Sequence, residues 1–398
     1  MTIAESTANA GKKAASDVDT ALRIVDREES RCSSLANPAL GCSLPPLLII
    51  DVIKALASQL IIWHHFISYG PMAKTLHPHA TRLFDWLYND GRLAVQAFLV
   101  LGGFLAARSL APQPNQLSFD LSESAIARLA WRRYLRLVRP YLVALVLAVV
   151  LSAFARFLMS DPDTPAAPSL KQVLFHALLI HDIAGVDALT TGAWYVAMDF
   201  QLYCMLLALL WAAQRLASIL KVDAQTTGLC FLVGLATLSL LWFNRNDSME
   251  TWGIFFFGSY GLGVMMQWAS SGKSKKSWTA FLLVIFLLAL ALEWRKPLIA
   301  SMLTAAFLGL GLRARYQPGH RLNGFVGWLS RISYSAFLIH YPIVLIVGTI
   351  VARLWPGHVP MAAIGFVAAW LMTWCFATVL YNRVEVARAR IRTDSSNG

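Results

Sequence analysis

Residues 47–68 read LLIIDVIKALASQLIIWHHFIS, and this stretch decides the fold. It is mostly apolar and, at about 22 residues, long enough to cross a bilayer as a helix. Yet it carries Asp51, Lys54, His64 and His65. An ionisable group at the centre of a membrane helix costs several kcal/mol, so such groups face a protein interior or a wet cavity. At about 100° per residue, Lys54 and His65 lie within ~20° of one another and ~16 Å apart along the axis. Asp51 falls within ~60° of Lys54 and ~40° of His65, whereas His64 is rotated by ~80° from Lys54. One stripe of the helix therefore presents an acid, an amine and an imidazole, and the rest is apolar. The plainer alternative is that Lys54 snorkels to the interface and His65 bonds a neighbouring helix.

Composition carries the membrane reading to the whole chain. Of 398 residues, 57% are hydrophobic and 14% charged, with a mean hydropathy of +0.55. A soluble domain carries about 25% charged residues. The net charge of +12 sits in cationic stretches between apolar runs. That is the pattern of orientation by cytoplasmic Lys and Arg and not of nucleic-acid binding. The five cysteines, Cys32, Cys42, Cys204, Cys230 and Cys375, have no metal or redox spacing.

The apolar runs predict an all-α, polytopic transmembrane bundle of about ten spans. They fall near 47–68, 92–110, 140–159, 193–214, 226–243, 251–269, 278–294, 297–312, 332–354 and 361–382. Basic residues at 111–139, in GKSKKS at 272–277, around Arg313 to Arg321 and at Arg383 to Arg392 all fall on one side in this count. Both termini are then cytoplasmic. Residues 1–46 are polar, without a signal peptide, and read as a disordered tail whose Cys32 and Cys42 are free thiols. Residues 47–386 form the membrane domain and 387–398 a short basic tail. The long outer segment 160–191 contains a helix around 170–181 that is too short to span.

Further polar residues inside or beside these spans are candidates for chemistry. An unperturbed imidazole titrates near pH 6.5, so His65 can accept and return a proton. Arg132, Arg133 and Arg136 enter the third span, where guanidinium forks bind either phosphates or lipid headgroups. Asp199 lies at the start of the fourth span; it can orient a histidine, bind a sugar hydroxyl or bond another helix. His340, just before Tyr341 and Pro342, either has a catalytic role or bonds a carbonyl freed by the proline. No cluster with metal-ligand spacing occurs.

At these residues the chain resembles the acyltransferase-3 family of integral membrane acyltransferases. Asp51, Lys54 and His65 match the family's first-span pattern. Phe98, Gly103 and Phe104 match its second-span FFxxSGF, with Leu99 and Gly102 in place of Phe and Ser. Arg132, Arg133, Arg136, Pro140 and Tyr141 meet RRxxR followed by proline and an aromatic. Trp194, Asp199 and Tyr203 meet WSLxxExxFY, with Asp for the usual Glu. Tyr334, Ser335, Leu338, His340 and Pro342 meet YSxYLxHxP, with Phe337 for the second Tyr. The resemblance covers about residues 47–386.

The resemblance implies a multi-pass protein of the cell (inner) membrane that transfers an acyl group, acetyl or succinyl, from cytoplasmic acyl-CoA. The acceptor would be a hydroxyl of an extracytoplasmic or lipid-linked glycan. His65 would act as base or carry the acyl group transiently, with Lys54 and Asp51 lining the donor path. Arg132, Arg133 and Arg136 would bind acyl-CoA, and Asp199, Tyr334 and His340 are further site candidates. The implied partners are the bilayer, acyl-CoA and the acceptor, with no nucleic acid, no metal and no tightly bound cofactor; an oligomer is compatible. The rival reading is a transporter of an organic anion or lipid-linked sugar. Such transporters often carry matching repeats in their two halves, and this chain shows none.

Overall fold

The structure, a computed structural model, describes residues 47–110, 122–160, 164–271, 276–312 and 321–386, and these are helical with no strand among them. The two tails and the basic residues at 272–275 and 313–320 lie outside the described residues. The helices are α1 (Leu47–Ser68), α2 (Pro71–Leu76), α3 (Thr81–Asp90), α4 (Ala94–Leu110), α5 (Glu123–Leu158), α6 (Leu170–Ala177) and α7 (Ala193–Leu220). They continue as α8 (Ala224–Leu241), α9 (Gly253–Ser270), α10 (Lys276–Leu292), α11 (Lys296–Gly311), α12 (Arg321–Leu354) and α13 (Val359–Leu380), which ends in a π-helical turn, Tyr381–Glu385.

Among the described residues, seven helical stretches are long and apolar enough to cross a membrane. Of the remaining long helices, α10 and α11 are shorter and α9 is largely buried. Exposed side chains show what surrounds the bundle. On α5, Val143, Val146, Val150, Phe154 and Phe157 are exposed, while Tyr141, Leu145, Ala148, Ser152 and Ala155 are buried. Both stripes follow helical spacing, so one face packs and the other is suited only to an apolar solvent.

Helix limits differ from the sequence expectation in an instructive way. The basic stretch expected to be a loop up to residue 139 is helical from Glu123, and α5 runs through it as one helix of 36 residues. Ser122 caps it, its Oγ accepting from the Ala125 N–H. Likewise α12 begins at Arg321, well before the ninth apolar run at 332–354. Charge ends an apolar run but not a helix, because Arg and Lys are good helix formers.

Two helix groups make up the bundle. In one, α12 packs against α1, α5 and α13; in the other, α9 packs against α4, α8 and α11. The second group is closed by glycine. A Cβ on Gly103 would lie 1.9 Å from the Tyr260 carbonyl oxygen, and one on Gly263 would lie 1.9 Å from that of Val100. The backbones of α4 and α9 therefore touch directly, as a small-residue crossing allows. Beside it, Gln96 Oε1 accepts from Ser259 and Ser301, each at 3.0 Å, tying α4, α9 and α11 together.

Helix ends sort into two sets. At one, Asp51 early in α1 accepts from Ser330 early in α12, Ile49 packs against Gly311 at the end of α11, and Glu123 of α5 pairs with Arg215 of α7 at 3.7 Å. At the other, Asp90 meets Lys296 at 2.7 Å and Arg245 meets Glu293 at 3.2 Å. The helices thus alternate in direction, as successive crossings do.

Candidate active site

The site is built around α12. From its start onward, Ser330 donates to Asp51 Oδ1 at 2.6 Å, and Tyr334 Oη donates to the Leu137 carbonyl of α5 at 2.8 Å. Ser335 donates to Glu385 in the π-helical turn. About a turn and a half further, His340 meets His65. At about 100° per residue these positions spread around more than half of the helix, so α12 bonds α1, α5 and the end of α13 on different sides.

His65 and His340 form a buried pair. His65 Nδ1 lies 2.7 Å from His340 Nε2, and the rings stack with centroids 4.8 Å apart and an interplanar angle of 9°. His340 Nδ1 lies 2.6 Å from the Phe337 carbonyl oxygen. That oxygen only accepts, so His340 Nδ1 carries a proton. A neutral His340 then has a bare Nε2, and the shared proton belongs to His65 Nδ1. It follows that the neutral pair leaves His65 Nε2 as a lone-pair nitrogen, the form a general base requires. His340 thus bonds a neighbouring carbonyl and meets the first-span histidine. Its acceptor is Phe337, one residue before Leu338, whose carbonyl loses its usual partner at Pro342.

His64 turns away, as the helical wheel requires. Its Nδ1 lies 3.0 Å from the Leu87 carbonyl of α3. Asp51 and Lys54 share the His65 stripe but stand apart from the imidazole pair along the axis. Asp51 holds Ser330, and Lys54 lies within electrostatic reach of Asp51 and Glu385.

The three arginines separate. Arg133 reaches inward and grips Asp199 through Nη2 at 2.7 and 2.8 Å and Nε at 3.1 Å. Its guanidinium also lies 5.2 Å from the centre of the Tyr203 ring. Of the three roles open to Asp199, the helix-to-helix bond is the one formed, and Arg133 spends its fork on it. Arg136 is exposed and Arg132 half-buried; Arg136 also acts electrostatically on Glu385. Two of the departures from the family pattern, Gly102 and Asp199, are neighbours. A Cβ at Gly102 would lie 3.6 Å from Asp199 Oδ1.

Sequence reading missed Glu385, which gave only the signal of a lone acid after the last span, among basic residues. It also missed Thr191, whose Oγ1 lies 3.5 Å from His340 Nε2. No group of three His, Cys, Asp or Glu side chains able to hold a metal occurs among the described residues.

The architecture is that of a multi-pass membrane protein with a buried imidazole pair between its first helix and its longest late one. The family model described as an acyltransferase domain, Acyl_transf_3, matches residues 47–380, and the chain belongs to that family. It is a membrane acyltransferase. Searches of curated proteins and of solved structures each return no match.

Proposed function

We propose that this protein moves an acyl group, acetyl or succinyl, from acyl-CoA supplied on the cytoplasmic side to a hydroxyl of an extracytoplasmic or lipid-linked glycan. In this reading the chain crosses the cell (inner) membrane about ten times, with both termini in the cytoplasm. The observation that carries the reaction is the hydrogen-bonded His65–His340 pair. His65 Nε2 removes the proton of the acceptor hydroxyl, and the oxygen attacks the thioester carbonyl. The C–S bond breaks, and the departing thiolate takes the proton back from His65. His340 supports the positive charge that His65 holds meanwhile, because its Nε2 accepts from His65 Nδ1 while Phe337 anchors its other nitrogen. Asp51, Lys54 and Glu385 lie along the donor path, and their mixed charges balance within it. Arg136 and Arg132 contact the donor phosphates; Arg133 is engaged by Asp199 and braces the helices that carry them.

The test uses purified full-length protein in lipid nanodiscs. Acetyl-CoA and succinyl-CoA are offered with cell-envelope glycans, and both free thiol and acylated glycan are measured. Arg136→Ala should raise the donor KM by about tenfold, the value of one charge-assisted contact, and leave the acceptor KM unchanged. Absence of acyl transfer from any acyl-CoA to any envelope glycan would sink the reading.

A further inference from the structure

The outer segment between α6 and α7 is held with more structure than a connection needs. Ser169 and Gln172 form a reciprocal cap at the start of α6, and His176 closes its end. His176 Nδ1 lies 2.8 Å from the Gln172 carbonyl oxygen, and the Leu189 N–H donates to His176 Nε2 at 3.1 Å. The carbonyl fixes the proton on Nδ1 and the amide requires a bare Nε2, so this neutral ring pins Leu189. The chain between them passes through Leu179 at φ +58°, a left-handed conformation that a residue with a Cβ rarely adopts. Leu179 is nevertheless buried. Two residues after the pinned Leu189 comes Thr191, and then Gly192 at φ +80°. A Cβ on Gly192 would fall 2.5 Å from the Phe337 ring. Only glycine lets the chain lie this close to the turn of α12 whose carbonyl anchors His340. The segment thereby delivers one side chain to the imidazole pair: the Thr191 hydroxyl, 3.5 Å from the nitrogen that His340 shares with His65.

We infer that Thr191 is a positioning residue of the reaction, acting on His65 through His340, and that His176 is the pin that holds it there; the inference rests on the acyl-transfer reading above. A hydroxyl suits the place because it donates and accepts. While His340 is neutral, the Thr191 O–H points at the bare Nε2 beside the His65 N–H. When His65 Nε2 takes the acceptor's proton and the proton already on His65 Nδ1 shifts toward His340 Nε2, the same hydroxyl turns and offers its lone pair to the His340 nitrogen as it gains a proton. Thr191 therefore keeps the His340 ring plane aligned with His65 in both states. Hydrogen bonds of this kind are often long in the unliganded enzyme and tighten during the reaction.

The test compares Thr191→Val, which keeps the shape and removes the hydroxyl, with Thr191→Ser, which keeps the hydroxyl. Both are made in the full chain in nanodiscs, with two readouts. The first is acyl transfer from acetyl-CoA: Val should lower kcat about three- to tenfold, the size of one net hydrogen bond, leave the donor KM unchanged, and be rescued by Ser. The second is the ring-nitrogen NMR spectrum of protein labelled with ¹⁵N-histidine, in which the His340 signals are identified by their loss in His340→Gln. Val should shift the His340 Nε2 signal and Ser should leave it in place. His176→Phe keeps a stacked ring but removes the acceptor for Leu189, and should shift the same signal in the same direction. If Val moves neither the signal nor kcat, or if Ser lowers kcat as much as Val, the inference is overturned. If the His340 signal responds as expected in a protein that transfers no acyl group, the link between Thr191 and the pair stands and the acyl-transfer reading fails.

Discussion

Two stacked pairs of imidazoles occur among the described residues, and they are built for different ends. His65 and His340 have centroids 4.8 Å apart; His176 and His181 are closer still, at 4.1 Å. Only the first pair joins ring nitrogen to ring nitrogen, at 2.7 Å. In the second, both ring nitrogens of His181 are buried without a hydrogen-bond partner, and His176 spends both of its own on the backbone. Stacking by itself is packing. A proton can be handed on only where a nitrogen lone pair faces an N–H and a fixed acceptor on the far side sets the tautomer. The first pair meets that condition across two helices, whereas the second uses its imidazoles as a structural clasp.

The largest expected effect breaks this comparison if it fails. His65→Ala should lower acyl transfer by about 10²–10⁴-fold, the usual contribution of a positioned base, with the protein still monodisperse in detergent. His181→Phe, the matching change in the clasp, should leave transfer within about twofold, since it removes no hydrogen bond. Near-normal turnover in His65→Ala, or an equal loss in His181→Phe, would dissolve the distinction.

Acid gives the next largest effect, and it reports on the clasp. This pair lies outside the spans. Burial, reinforced by His181, holds the His176 imidazole down to about 4, and burial holds His181 down to about 4 as well. Both are neutral in the fold, while in the unfolded chain they bind protons near pH 6.5. Between those limits the unfolded state holds more protons, so the stability they contribute is complete above about pH 6.5 and falls as the pH drops toward 4. Acidification from pH 7 to 4.5 should destabilise the protein by about 1–3 kcal/mol through this pair. The His181→Phe variant should lose less than the wild type in chemical or thermal unfolding at the two pH values. An identical pH dependence in the two proteins would remove the clasp from the acid response.

The smallest effect sharpens the comparison within α1. His64 neighbours His65, and its ring centroid lies 5.2 Å from that of His65, but its Nδ1 is turned to the Leu87 carbonyl. His64→Ala should therefore lower turnover by no more than about three- to tenfold, the range of one net hydrogen bond. A loss as large as that of His65→Ala would mean that proximity, and not the shared nitrogen–nitrogen bond, selects the reactive ring.

What the sequence could show follows from the range of the physics involved. The face shared by Asp51 and His65, and the rotation of His64 away from it, are properties of a single helix and were legible from spacing alone. So were the apolar runs that form the helices of the bundle. The helix limits were less legible, because α5 and α12 continue through charged residues that end an apolar run without ending a helix. Partnerships were the least legible. That Arg133 would grip Asp199, or that His340 would complete His65, depends on how α5, α7, α1 and α12 pack, and no local pattern encodes such packing. Thr191 lay further out of reach, in a segment placed by a histidine pin and a left-handed leucine.

The crossing at Gly103 and Gly263 has a consequence for how the protein is made. The helix that carries Gly263 is not among the seven able to span on length and composition, and it presents glycines, serine and tyrosine to its neighbours. Its residence in the membrane therefore draws on docking against α4, which leaves the ribosome much earlier. During synthesis α4 has to wait, its own glycine notch unfilled, until most of the intervening chain has been inserted. The insertion machinery thus handles a helix whose proper solvent is another part of the same polypeptide, and a bulkier residue at either glycine would act first on the yield of assembled protein.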